Sequence, residues 1–208
     1  MKSALLIFAA CSADHVVGAA SPDARAAMPD LAIIPSTHMA VETLYFPPGA
    51  CEIVEGCVGG AGNRRLLRFD ATIANLGGAD LVLGAAPPAG VSGGAFVWSA
   101  CHMHHHVPGF ADYALVDDDG EILSAHKQAF CLRDDLRVGT SESHGFDCTN
   151  QGISAGWADL YQAQLPCQWI DITDVDPGLY TLRITVNPSG AFPDADRAND
   201  ALDTPIAF

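Results

Sequence analysis

The chain has 208 residues, 49% of them hydrophobic and 17% charged, with a formal net charge of −15 at pH 7. That length and composition fit one globular domain and exclude a disordered chain. The negative balance excludes a nucleic-acid binder, whose phosphates would be repelled without a basic groove; it suits cationic partners such as ammonium groups, or solubility alone.

At the N-terminus Met1-Lys2-Ser3 precedes an apolar run, Ala4 to Ala10, which ends at Cys11. Residues 1–20 read as a signal peptide, too short to span a bilayer. Ala9-Ala10-Cys11 is similar to a bacterial lipoprotein cleavage site, where the cysteine is lipidated and anchors the protein, although Phe8 stands where leucine is usual. Cleavage after Ala20 is the other reading. Residues 21–45 read as a tether, Ala/Pro-rich as far as Pro29, and a first strand; residues 46–208 read as the functional domain. The expected location is the cell envelope or the exterior, with a lipid anchor if Cys11 is modified.

Setting Cys11 aside leaves Cys51, Cys57, Cys101, Cys131, Cys148 and Cys167, an even set that reads as a disulfide framework in an exported protein. The residues alone do not choose among the pairings.

From Leu67 onward short alternating strands are separated by turn signals. Leu67, Phe69, Ala71 and Ile73 alternate ahead of Asn75-Leu76-Gly77-Gly78; Tyr113 and Leu115 lead into Asp117-Asp118-Asp119-Gly120, a hairpin turn, and Ile122 follows. Ile170 and Ile172 precede Asp176-Pro177-Gly178, and Tyr180, Leu182, Ile184 and Val186 form a strand ending at Asn187-Pro188. This spacing predicts an all-β fold, an antiparallel β-sandwich of immunoglobulin-like type with long loops and little helix. Gly156-Trp157 to Gln164 is the one stretch with room for a helical turn.

Within Trp98-Ser99-Ala100-Cys101-His102-Met103-His104-His105-His106, three histidines alternate. Successive side chains of an extended strand point to opposite faces, so His102, His104 and His106 share a face and His105 points away. Three neutral imidazoles on one face suit copper or zinc. On a flat strand the outer two Cβ atoms would lie roughly 13 Å apart, so a bulge or strong twist is expected.

This run resembles the copper-binding strand of the lysyl oxidase family, Trp-x-x-Cys-His-x-His-x-His. Four further blocks resemble that family in the same order: Arg65-Leu66-Leu67-Arg68-Phe69, Ala125-His126-Lys127-Gln128-Ala129-Phe130-Cys131-Leu132, Gln151-Gly152-Ile153 through Asp159-Leu160-Tyr161, and Cys167-Gln168-Trp169-Ile170-Asp171-Ile172-Thr173-Asp174-Val175. The resemblance spans roughly Pro29 to Asp200.

The resemblance implies a copper amine oxidase. Copper would be held by His102, His104 and His106, and the organic cofactor, lysine tyrosylquinone, would be made from Lys127 and Tyr161. Its substrates would be primary amines or protein lysine side chains with O₂, and its products an aldehyde, hydrogen peroxide and ammonia. Asp159, Asp171 and Asp174 are the candidate bases. The resemblance also implies bridges Cys51–Cys57 and Cys101–Cys148. The family's partners for Cys131 and Cys167 fall at Arg137 and Trp157, leaving these two cysteines to pair with each other or to stay free. Some members bind calcium, which here would engage Asp194, Asp196, Asn199 and Asp200 with Asp30 and the Leu31 carbonyl; a plain acidic turn is the other reading.

Three other readings compete. A non-catalytic exported copper- or zinc-binding protein would need the histidines but no quinone. A zinc hydrolase would use the same three ligands plus a carboxylate at an open metal position. The Tyr180 to Asp200 segment also resembles bacterial adhesion repeats, a likeness of fold that says nothing of function.

Overall fold

The computed structural model describes residues 27–35, 38–120, 122–128, 131–142 and 144–208, with the side chains of residues 123–128 excepted. The signal segment, Cys11 and most of the tether lie outside the described residues. Strands β1 (Leu31–Ile34) and β2 (Met39–Phe46) are followed by a helical turn, α1 (Cys51–Val54), then β3 (Gly62–Phe69), β4 (Ala71–Asn75) and β5 (Leu81–Ala85). After these come β6 (Val97–Ser99), β7 (His104–His106), β8 (Ala111–Val116), β9 (Ile122–Gln128), β10 (Leu136–Arg137) and β11 (Asn150–Ile153). The last are β12 (Trp157–Tyr161), β13 (Trp169–Asp171), β14 (Leu179–Val186), a 3₁₀ turn at Arg197–Asn199 and β15 (Ala201–Ala207).

All strand pairs are antiparallel, in the sheets β1-β4-β12-β10, β15-β14-β8-β9 and β13-β3-β2 and the two-stranded pairs β11-β5 and β6-β7. The fold is all-β, as the strand spacing predicts. One core joins the sheets: Leu31, Ile33 and Ile73 meet Tyr113, Leu115, Leu182, Ile184 and Ile206, with Phe69 and Ile170 between. Phe69 meets the Tyr113 ring edge-on at 4.9 Å between centroids, a favourable aromatic geometry.

The alternation from Leu67 to Ile73 does not make one strand. The chain changes sheets at Asp70, whose N–H donates to His38 O and whose carboxylate accepts from Ala163 N at 2.7 Å. Alternation survives such a break, so the pattern hides it. β4 is buried on both faces, because sheet and core close over it together.

The hairpin at Asp117-Asp118-Asp119-Gly120 does form. Gly120 takes φ 82°, a left-handed conformation that disfavours side chains, and its N–H donates to Asp117 O. The stretch from Gly156 to Gln164, which has room for a helical turn, instead carries strand β12 at Trp157–Tyr161, paired to β4 from Ala158↔Ala74 to Tyr161↔Ala71. Pairing on both sides, to β4 and β10, overrides a weak local preference.

Every one of the six cysteines is bridged, but not as the family resemblance implies. The pairs are Cys51–Cys101, Cys57–Cys167 and Cys131–Cys148, with Cα separations of 5.5, 5.3 and 5.3 Å. The expected small Cys51–Cys57 loop is replaced by two long-range ties. One fastens α1 beside the histidines, and the other fastens the following turn to the segment ahead of β13. Cys101, expected opposite Cys148, is therefore held by the N-terminal segment.

Candidate metal and quinone site

The three histidines meet because the chain folds back on itself. Residues 100–103 form a turn, with Met103 at φ 57°, so His102 sits on the turn while His104 and His106 lie on β7. Ser99 closes the turn: its carbonyl accepts from Met103 N and its hydroxyl accepts from His102 N. A tight turn thus supplies the bend that a flat strand would lack. The three ring centroids are 4.9–5.6 Å apart, and one nitrogen from each ring lies within 4.8 Å of the others.

His105 faces the other way. It is buried, its Nε2 lies 2.8 Å from Val91 O, and its ring meets Trp98 edge-on. His104 Nδ1 lies 3.1 Å from His102 O, which fixes Nδ1 as the protonated nitrogen and leaves Nε2 for a metal. Burial, then the neighbouring His102, lowers the His104 pKa, while burial and then His104 push that of His106 down to about 4. Neutral imidazoles in this arrangement are the form that binds copper or zinc, so the donor set fits the metal.

Beside the triad opens a cavity of about 280 Å³, lined by His102, His104, Arg133, Asp159, Leu160, Tyr161 and Leu165 among others. Tyr161, the last residue of β12, is buried, and its hydroxyl donates to Asp159 Oδ2 at 2.6 Å. Burial, then the Asp159 charge, raises the Tyr161 pKa well above the ordinary tyrosine range; burial does the same to Asp159 relative to other carboxylates. Each group therefore holds a proton more tightly than it would in water.

Residues outside the cavity hold the segments around it. Gln151, fully buried, accepts from Leu132 N, and Asp134 accepts from Gly145 N, Phe146 N and both Ser154 N and Oγ. Gly152 is required where it stands, since a Cβ there would meet Leu81 O at 2.3 Å. Arg68 donates to Ala163 O and Leu165 O and lies over the Trp169 ring, holding the segment that carries Leu165.

The other candidates are placed elsewhere. Asp171 accepts from Gly59 N, Thr173 Oγ1 and Arg64, and Asp174 is exposed 3.7 Å from Arg64. Neither lines the cavity, so only Asp159 of the three candidate bases is brought to Tyr161. Lys127 takes the register position opposite Asp112 in β8, and its side chain lies outside the described residues. Composition and spacing pass over Glu55, whose Oε2 lies 3.4 Å from His102 Nδ1. The sequence signal for it was an acid next to Gly56 within Cys51-x₅-Cys57.

The acidic loop comes together with the first strand. Leu31 N donates to Asp194 Oδ1, Asn199 Nδ2 donates to Asp30 Oδ1, and Asp196 accepts from Ala198 N. Asp194 Oδ2, Asn199 Oδ1 and Asp200 Oδ1 are buried without a hydrogen-bond partner. Burial, then the Asp200 carboxyl beside it, raises the Asp194 pKa to about 6.

An all-β domain in which two of three clustered histidines and a buried tyrosine line one cavity is the class that fold and site define. The sequence assigns it further: a family model described as Lysyl oxidase matches residues 50–208, and the chain belongs to the lysyl oxidase family. It is 42% identical over 147 residues to Lysyl oxidase homolog 3B of Danio rerio, covering 68% of this chain and 17% of that protein. To Lysyl oxidase homolog 3 of Homo sapiens it is 40% identical over 146 residues, covering 68% and 18%. To Protein-lysine 6-oxidase of Gallus gallus it is 38% identical over 155 residues, covering 70% and 34%. The chain thus spans about a third or less of the length of these relatives.

Proposed function

We propose that this domain is an exported copper-dependent amine oxidase that converts primary amines, small or on protein lysines, to aldehydes with release of hydrogen peroxide and ammonia. The observation that carries the reading is that Tyr161 opens on the same cavity as His102 and His104. Copper would be held by His102, His104 and His106, and lysine tyrosylquinone would be formed from Lys127 and Tyr161. Together these groups supply redox chemistry with O₂ and a carbonyl that captures an amine.

The chain's own residues do the rest. The His102 carbonyl keeps His104 in the ligating tautomer. Asp159 is the base: it lies at Tyr161, and its burial gives it the proton affinity to hold a proton taken within the cavity. Leu160 and Leu165 keep the wall apolar, which strengthens electrostatic interactions inside. The three disulfides support an oxidising compartment outside the cytoplasm. The test is aerobic copper loading followed by peroxide assay with a panel of primary amines; hydrazines, which trap a reactive carbonyl, should block it. Copper-replete protein that turns over no amine would favour the non-catalytic metal-binding reading.

A calcium ion at the acidic loop is the second element of the proposal. The three unpartnered buried oxygens of Asp194, Asn199 and Asp200 support it, since calcium takes oxygen ligands. The Asp30 carboxylate, Asp196 and the Leu31 carbonyl complete the set of candidates. Calcium should raise the melting temperature of wild type and not of Asp194→Asn; equal shifts would refute it.

A further inference from the structure

Glu55 sits where two disulfides and a helix end converge. It is the C-cap of α1: its N–H donates to Cys51 O, and Gly56 follows at φ 76°, the left-handed conformation common just past a helix. Cys51, four residues before it, is bonded to Cys101, the residue preceding His102; Cys57, two residues after it, is bonded to Cys167. The backbone around Glu55 is thereby fixed to the histidine turn at one end and to the segment ahead of β13 at the other.

The side chain is aimed just as closely. Oε1 accepts from the Ser99 hydroxyl at 2.5 Å, and the same Ser99 oxygen accepts from His102 N at 3.0 Å. Oε2 lies 3.4 Å from His102 Nδ1, which in turn lies 3.2 Å from His106 Nε2. The side chains of Glu55 and His102 are only 21% and 12% exposed. A carboxylate, a histidine nitrogen and the Cys167 sulfur also lie within 4.8 Å of one another, but that sulfur is committed to its disulfide and offers no thiolate.

Resting on the metal-site reading above, we propose that Glu55 is the anionic partner of the three-histidine centre. Its carboxylate orients His102 and supplies the negative charge that holds a divalent ion in preference to a monovalent one. Three neutral imidazoles leave a divalent ion with its full charge of two, and one nearby carboxylate halves it. A monovalent copper ion gains less from the same carboxylate, because attraction scales with the product of charges. Partners that orient ligating histidines typically change metal affinity by roughly 10–100-fold when removed.

The test compares Cu(II) and Cu(I) affinities, by chelator competition, for wild type, Glu55→Gln, Glu55→Asp and His104→Ala. Glu55→Gln keeps the shape and removes the charge. It should weaken Cu(II) roughly tenfold or more, with a clearly smaller loss for Cu(I), an altered Cu(II) paramagnetic resonance spectrum and an unchanged melting temperature of the metal-free protein. Glu55→Asp, which keeps the charge, should recover part of the Cu(II) affinity. An unchanged Cu(II) affinity, or equal losses for both oxidation states, would overturn the proposal. If Glu55→Gln does not fold, Ser99→Ala, which releases the carboxylate, should lower the Cu(II) to Cu(I) preference; an unchanged preference would overturn it equally. Should wild type bind copper no better than His104→Ala, the metal-site reading itself fails, and this proposal with it.

Discussion

Replacing Cys51 and Cys101 together by alanine severs the tie between α1 and the histidine turn. The bridge closes a loop with a sequence separation of 50. Restricting the unfolded chain by such a loop stabilises the fold by about 4 kcal/mol, compared with about 3 for a loop the length of Cys131–Cys148 and about 5 for Cys57–Cys167. Domains are stable by only about 5–15 kcal/mol in all, so the loss is large. With a urea slope of roughly 2–3 kcal/mol/M, the unfolding midpoint should fall by roughly 1.3–2 M. Copper affinity should fall as well, because His102 adjoins Cys101 and Glu55 depends on Cys51, whereas replacing Cys131 and Cys148 leaves the histidine turn tethered. Peptide mapping without reduction should recover Cys51 joined to Cys101. Recovery of Cys51 with Cys57, or a double variant as stable as wild type, would refute the reasoning.

Two further outcomes are expected. His105→Ala should keep one copper per chain while His104→Ala loses it, because His105 is committed to Val91 O and Trp98 on the other face; equal copper loss in both would contradict the geometry. For Asp171, hydrogen bonds from Thr173, Gly59 and Arg64 outweigh burial and hold the carboxyl below the ordinary value of 3.8. A depressed carboxyl stabilises the fold above that pH and loses its contribution as pH falls through its own lower pKa. Asp171→Asn should therefore cost about 1.5–3 kcal/mol at pH 7, a deficit that shrinks below pH 4, while amine oxidation persists. Lost turnover in a stably folded variant would return Asp171 to the catalytic set.

Much of this was legible in the sequence, and the failures have physical causes. The strand Tyr180 to Val186 and the Asp-rich hairpin were readable because alternation and a left-handed glycine are local signals. The histidine cluster was readable as chemistry, yet its geometry depended on a turn at Met103 that alternation does not announce. β12 was hidden because Asp159, a residue that normally faces solvent, is buried at a strand position beside Tyr161. Disulfide pairing was not readable, since it follows from which loops the sheets bring together. Asp171 and Asp159 looked equivalent in the sequence. Only the fold separates a carboxylate engaged by Arg64 from one facing a tyrosine hydroxyl.

The decisive measurement is intact mass and peptide mapping of copper-loaded, aerated protein, run beside Lys127→Ala and Tyr161→Phe. The predicted result is a covalent link between Lys127 and Tyr161 in the wild type, with quinone staining and amine-dependent peroxide release, and both variants keeping copper but losing link, stain and turnover. Folded, copper-replete wild type in which Lys127 and Tyr161 are recovered unmodified, with no peroxide from any primary amine, would contradict the oxidase assignment and leave a metal-binding domain in its place.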